Sequence, residues 1–222
     1  MTESYMFRQA RPEEIRAVFD LIMGRVAWMD QVGIRQWNTT KYDERYPLSY
    51  YEQRRQMEEL FVLTDGEGGI LAVGALLHED ERWPEHDSAF YLHHLASRVD
   101  AKGMGSIFLE MAEEYTARMG KKYMRLDSAV GNKNLELFYA SRGYVEAGFC
   151  KDGLYEGILR QKKLKSRLLI WDLSHRRCQR PPCLKGAGIC EERANDWGIF
   201  MPQSGISPYG RSIPPPLRGT SL

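Results

Sequence analysis

The reading turns on Ala89–Ser106, AFYLHHLASRVDAKGMGS. Ala89–Ala96 is an apolar, aromatic-rich run of strand length, and Ser97–Lys102 is a polar loop. Gly103-Met104-Gly105-Ser106 then opens a helix whose apolar stripe is Ile107, Phe108, Met111, Tyr115 and Met119, with Gly120 closing it. Glycines at a helix start leave backbone N–H groups unobstructed. Together with the helix dipole, those groups favour a phosphate or diphosphate. Glycine also permits close helix–strand packing, so both readings stand on these residues alone. The dinucleotide fingerprint G-x-G-x-x-G is excluded, because Phe108 occupies the third glycine position.

Outward from this junction the chain alternates in type. Pro12 with Glu13 and Glu14 suits a helix start, and Ile15, Val18, Phe19, Ile22, Val26 and Met29 follow at helical spacing up to Gly33. Ser49-Tyr-Tyr-Glu52 has capping-box spacing and predicts a second helix to about Glu59. Leu60–Thr64 and Ile70–His78 read as a hairpin around the Gly-rich turn Asp65–Gly69, and Glu79–Asp87 reads as a polar loop. Downstream, Tyr123–Ala129 is a predicted strand and Asn134–Arg142 a short helix closed by Gly143. Tyr144–Lys151 and Leu154–Leu164 are strands joined at Asp152-Gly153. The order ααββ–βαβα–ββ predicts an α/β chain, a mixed α+β sheet with helices on its faces.

A further segment makes the pattern specific: Asn132-Lys-Asn-Leu-Glu-Leu-Phe-Tyr139-Ala-Ser-Arg-Gly143-Tyr144. Over about residues 5–165 the chain resembles the GNAT-type N-acetyltransferase superfamily. That superfamily has a loop Q/R-x-x-G-x-G/A and a later segment N-x-x-A-x-x-x-Y-x-x-x-G-F/Y. Gly103 and Gly105 match the loop, and Asn132, Tyr139, Gly143 and Tyr144 match the segment. Gly33–Trp37 with Tyr46-Pro47, and the stretch WPEHDSAFYLHHLA, also resemble small bacterial members. Asp100 stands where the loop has Gln or Arg, and Leu135 where Ala is common. Backbone amides alone, or Lys102 in place of the missing cation, then serve the diphosphate.

The resemblance implies acetyl-CoA as cosubstrate, held by Leu95, Ala96, Lys102, Gly103, Met104, Gly105, Ser106 and Asn132. It implies transfer of the acetyl group to a primary amine of a small molecule or peptide. Tyr139 is placed as the general acid that protonates the leaving thiolate; read without the motif, Tyr139 is a core aromatic. The strand near Leu95 and Ala96 is expected to pair with the pantetheine arm as an added strand would. His93 and His94 are neighbours on a strand, so their side chains are expected on opposite faces. His93, in phase with Tyr91 and Leu95, is the candidate proton relay toward the acceptor, the other reading being that both histidines are structural and water carries the proton out. Gln36, Trp37 and Tyr46 are the candidate acceptor-binding residues, with simple packing of Trp37 the other reading. The acidic run Glu79-Asp80-Glu81 reads as a solvated loop or an attractor for a polyamine.

A net charge of +1 argues against nucleic-acid binding. No stretch approaches the ~20 apolar residues of a membrane span, and the first residues lack the apolar core of a signal peptide, so a cytoplasmic location is expected. Beyond residue 165 the composition shifts. Seven of the ten prolines and three of the four cysteines lie in 166–222, which carries eight Lys/Arg against four Asp/Glu. Residues 1–165 are therefore expected to form the GNAT-like domain and 166–222 a basic, mostly irregular tail. His175, Cys178, Cys183 and Cys190 lack the paired C-x2-C knuckles of a zinc site, so no metal is expected. Two other functions remain open: a catalytically weak CoA-binding sensor of the same fold, favoured by Asp100, and a partner-binding protein that uses its tail. A homodimer is left open too.

Overall fold

The computed structural model describes residues 4–84, 87–153 and 155–165. The chain opens with strand β1 (Met6–Gln9), a 3-10 turn at Pro12–Glu14 and helix α1 (Ile15–Gln31). Two shorter helices follow, α2 (Tyr42–Arg45) and α3 (Leu48–Gln56), then strands β2 (Leu60–Thr64), β3 (Ile70–Leu77) and β4 (Ala89–Ser97). Helix α4 (Met104–Arg118), strand β5 (Tyr123–Ala129), helix α5 (Lys133–Ala140) and strands β6 (Val145–Asp152) and β7 (Tyr155–Lys163) complete it. The seven strands form one sheet in the order β1-β2-β3-β4-β5-β7-β6. Every neighbouring pair is antiparallel except β4–β5, which is parallel.

Alternation along the strands builds two cores. Leu60, Val62, Val73, Ala75 and Tyr91 face Val18 and Ile22 of α1 and Tyr51 of α3. On the opposite face, Phe61, Leu63, Ala72, Leu76, Phe90 and Leu92 meet Phe108, Leu109 and Ala112 of α4. Gly74 makes that second contact possible, because a Cβ there would lie 2.8 Å from the Phe108 ring and 3.0 Å from Leu92. Removal of such side chains from water, each worth about 1.5–3 kcal/mol, is the main force holding the helices to the sheet.

Four local expectations are corrected. Strand β1 adds an element that the sequence pattern did not reveal; it is four residues long and Phe7 stacks on Phe61, ring centroids 5.1 Å apart. Ser49 does not cap α3, because the helix already begins at Leu48 after Pro47 and Glu52 instead pairs with Arg55. A reciprocal cap lies earlier, where Glu14 accepts the Arg11 N–H at 2.7 Å and pairs with Arg8 at 2.6 Å. Met119 is exposed, and α4 buries Phe108, Leu109, Ala112 and Thr116. The last hairpin pairs Asp152 with Tyr155, one residue later than predicted, with Gly153 at φ +59° in its turn. The 166–222 tail, with its cysteine and histidine candidates, lies outside the described residues. Among the described residues no helix is long and apolar enough to cross a membrane.

Candidate active site

The central strands separate at one point. Parallel pairing of β4 with β5 runs from Ala89↔Tyr123 to Leu92↔Leu126 and ends there. β5 continues beyond Leu126 against β7 as far as Ala129↔Gly157. On its other side β4 carries an extra residue against β3: Val73 pairs with Ala96, but Ala75 pairs with His93. The bulge residue is His94, with φ +57°, a left-handed conformation that costs a non-glycine residue about 1–3 kcal/mol.

The bulge overturns the expected alternation, because His93 and His94 both line the cavity that opens at the split. Their ring centroids are 5.9 Å apart. The cavity holds about 260 Å³ and is bounded by Leu95 and Ala96 of β4, Gly105 of α4, and Leu135, Phe138 and Tyr139 of α5. Gln36, Trp37 and Tyr46 line it from the N-terminal helical segment, so three expected acceptor residues meet the two expected catalytic ones in one place.

Gly103 precedes α4 with φ +86°, and Gly105 sits in its first turn, where no intrahelical acceptor exists for the N–H. A Cβ on Gly105 would meet only Ser97 Oγ, at 3.8 Å. A backbone surface is therefore open to the cavity where a bulky ligand group needs it, and the residues present fit a diphosphate at that turn.

The other expected cofactor residues do not line the cavity. Lys102 is exposed at the loop's end, and Met104 packs into the α4-side core. Ser106 Oγ accepts a 2.7 Å hydrogen bond from Arg142. Asn132 caps α5, its side chain accepting the Leu135 N–H at 3.1 Å. Asp100 forms a two-pronged pair with Arg98, at 2.9 and 2.5 Å, on the exposed loop.

Tyr139 is buried, with its ring edge-on to Tyr144 at 5.5 Å. Burial and the nearby Asp127 push its phenol well above the ordinary value, with Arg160 and Arg142 opposing. The group therefore keeps its proton across the physiological range. Cys150 is the one cysteine among the described residues. Burial and Asp127 push its thiol up to about 11, so it does not supply a thiolate nucleophile.

The His93 side of the cavity holds a polar network that sequence reasoning missed. Asp80, from the acidic run read as solvated, is buried and accepts His93 Nε2–H at 2.8 Å. Burial would raise its pKa, but the His93 bond and charge, the Arg82 N–H and the Arg82 charge together hold it below the usual range. Because a carboxylate can only accept, Nε2 carries the hydrogen, which leaves Nδ1 as the second ring nitrogen. Arg82 lies 3.4 Å from that Nδ1 and pairs with Asp127 at 3.2 Å and Asp152 at 3.5 Å. Tyr155 donates to Asp127 at 2.5 Å, and Arg45 pairs with Asp152. Ligand atoms of Asp80, His93 and Asp127 lie within 4.8 Å of one another, in metal-site proximity, and the Arg82 guanidinium sits against both carboxylates, 4.0 Å from Asp80 and 3.2 Å from Asp127.

His94 is held differently. Tyr42 meets Nδ1 and Tyr50 meets Nε2 at 3.0 Å, while Tyr46 lies edge-on at 4.5 Å. Burial, with the neighbouring His93, Arg82, Arg54 and Arg45, pulls its pKa far below the ordinary imidazole value. It is a neutral ring engaged at both nitrogens. Trp37 stacks on Tyr42 at 4.8 Å, which extends the aromatic wall to the cavity rim.

The fold as a whole matches that of solved GNAT-family acetyltransferases. A GNAT-family acetyltransferase from Listeria monocytogenes superposes with a TM-score of 0.62 at 22% identity, over 74% of this chain and 99% of that one. A second, from Streptococcus agalactiae, gives a TM-score of 0.60 at 22% identity, over 72% and 96%. The PaiA N-acetyltransferase of Thermoplasma acidophilum, solved in complex with coenzyme A, gives 0.56 at 17% identity, over 72% and 99%. At these identities the likeness shows the fold alone. No protein-family model matches the sequence, and no curated protein matches it.

Proposed function

We propose that this chain is an acetyl-CoA-dependent N-acetyltransferase acting on the primary amine of a small molecule or peptide, by direct attack of the amine. One observation carries the reading: a single cavity at the β4–β5 split is lined both by Gly105 of the open first turn of α4 and by Tyr139, whose phenol keeps its proton. Likeness to solved acetyltransferases, one of them bound to coenzyme A, supports it.

When bound, acetyl-CoA supplies a thioester carbonyl and a thiolate leaving group. The N–H groups and dipole of α4 favour the diphosphate beside Gly105. β4 from His93 onward has no strand on its β5 side, so Leu95 and Ala96 offer backbone groups to an extended amide arm. His93 takes the ammonium proton of the acceptor at Nδ1 once the Arg82 Nη1 donor, 3.4 Å away, turns from it to Asp127 and Asp152, and Asp80 orients the ring and supports the imidazolium. As the C–N bond forms and the C–S bond breaks, Tyr139 gives its proton to sulfur, the proton shed by the new amide nitrogen restores the phenol through solvent, and His93 returns its proton to solvent. Trp37, Tyr46 and Gln36 form the acceptor walls.

A thiol-release assay with acetyl-CoA and a panel of amines tests this. Release with at least one amine, with the acetylated product seen by mass, is expected. Coenzyme A binding without turnover on any amine favours the sensor reading instead.

A further inference from the structure

Three arginines line the cavity: Arg25, Arg45 and Arg82. Arg45 and Arg82 are answered by Asp152 and Asp127. Arg25, half-buried on α1, has no carboxylate partner among the described residues. Its Nη2 donates to Ser97 O and Oγ at 2.5 and 2.9 Å and to Arg98 O at 3.4 Å, and its Nε donates to Ser97 O at 3.1 Å. Its guanidinium lies over the Trp28 ring at 4.7 Å. All of these partners are neutral. Burial accordingly lowers its pKa, whereas the charges of Asp127 and Asp80 outweigh burial and raise that of Arg82. An arginine remains cationic in either case.

Its location gives this charge a use. Ser97 Oγ, which Arg25 holds, is the nearest atom to where a Gly105 side chain would begin, at 3.8 Å. The guanidinium and the first turn of α4 thus flank one spot at the end of β4. The loop's own cations do not serve it: Arg98 is closed on Asp100, and Lys102 is exposed and outside the cavity lining.

We propose that Arg25 binds the diphosphate of coenzyme A, supplying from α1 the positive charge that the loop before α4 does not. This rests on the acetyl-CoA reading above. With Nε and Nη2 engaged by Ser97 and Arg98, the Nη1 donors of the guanidinium are the ones that would meet a phosphate oxygen, and in a half-buried site the pair is weakly screened. A residue that merely tied α1 to β4 would need only donors to the Ser97 carbonyl and would show no preference for an anion.

The test is calorimetric binding of coenzyme A and of pantetheine, which lacks the diphosphate, to the wild type, Arg25→Lys and Arg25→Gln, with thermal melting of each. Arg25→Gln is expected to weaken coenzyme A binding by about 10–100-fold, the worth of a hydrogen bond to a charged group, and to leave pantetheine binding unchanged. Arg25→Lys, which keeps the charge but not the fork, is expected to fall between, and salt should weaken coenzyme A binding more steeply in the wild type than in Arg25→Gln. Equal losses for both ligands, or full coenzyme A affinity in a folded Arg25→Gln protein, would overturn the assignment. If Arg25→Gln does not fold, full coenzyme A affinity in Arg25→Lys with no salt dependence in the wild type overturns it equally. A wild type that binds neither ligand defeats the cosubstrate reading itself, a result distinct from loss in the variants alone.

Discussion

Asp80 Oδ2 lies 2.8 Å from His93 Nε2, joining the β3–β4 loop to the bulge of β4 at the acceptor side of the cavity. The contact fixes the ring of His93, the base of the proposed reaction. His93→Gln is expected to lower single-turnover acetyl transfer by about 10²–10⁴-fold. Asp80→Asn should cost less, because the amide still holds the ring but no longer supports its charge. The two losses should not add, since Asp80 acts through His93. Fully additive losses in the double variant would separate the two residues and remove the positioning role.

His94 sets a pH dependence of stability. Its folded pKa is depressed, while the unfolded side chain titrates near the ordinary value of about 6.5. Above that pH both states are neutral and the group contributes nothing to the dependence. Below it the unfolded chain binds a proton that the folded chain does not, so stability falls with pH, by at most about 1.4 kcal/mol per unit from this proton. Melting temperatures of the wild type between pH 7 and 5 should therefore drop more steeply than those of His94→Gln, whose amide can still serve both phenols. Parallel curves would show that His94 is not the group responsible.

Gly74 bears on the fold and not on the chemistry. A methyl there meets the Phe108 ring and Leu92 inside normal contact distance, so Gly74→Ala forces α4 off the sheet or Phe108 out of its rotamer. Overpacking of this kind costs about 1–3 kcal/mol. Denaturant unfolding should show a lower midpoint with a similar slope.

Gly105 is the opposite case. A side chain there projects into the cavity with nothing nearer than 3.8 Å, so Gly105→Val should fold and melt nearly as the wild type does. Its coenzyme A affinity should fall sharply, because the valine occupies the approach to the α4 amides. Unchanged affinity in the folded variant would show that no diphosphate lies there.

How far the sequence could be read follows the range of each signal. The β4–loop–α4 junction and the Asn132–Tyr144 segment were legible because glycines and caps act within a few residues of themselves. Strand β1 escaped because four residues with one inward aromatic carry too little periodicity. The shared facing of His93 and His94 escaped because a bulge is a relation between two strands, and alternation along one strand cannot report it. Asp80 was hidden among Glu79 and Glu81; only the loop's return to β4 separates the buried carboxylate from its neighbours. Nothing in the spacing distinguishes Arg25 from the other polar positions of α1, and only packing against Ser97 sets it apart. Asn132 was found by its motif, yet the geometry gives its side chain a capping bond, so its effect on the cavity runs through the start of the helix that bears Tyr139.

The central claim is that Tyr139 completes acetyl transfer in this cavity, and single-turnover release of the thiol by wild type and Tyr139→Phe tests it most directly. Burial moves the phenol above the value of about 10 for a free tyrosine, so an alkaline limb from this group lies beyond that value and the comparison is best made at neutral pH. The variant keeps the ring and its contact with Tyr144, so coenzyme A affinity and melting temperature should change little. A fall of about 10²–10⁴-fold in the single-turnover rate is the predicted result. A Tyr139→Phe protein that releases thiol at the wild-type single-turnover rate would contradict the account.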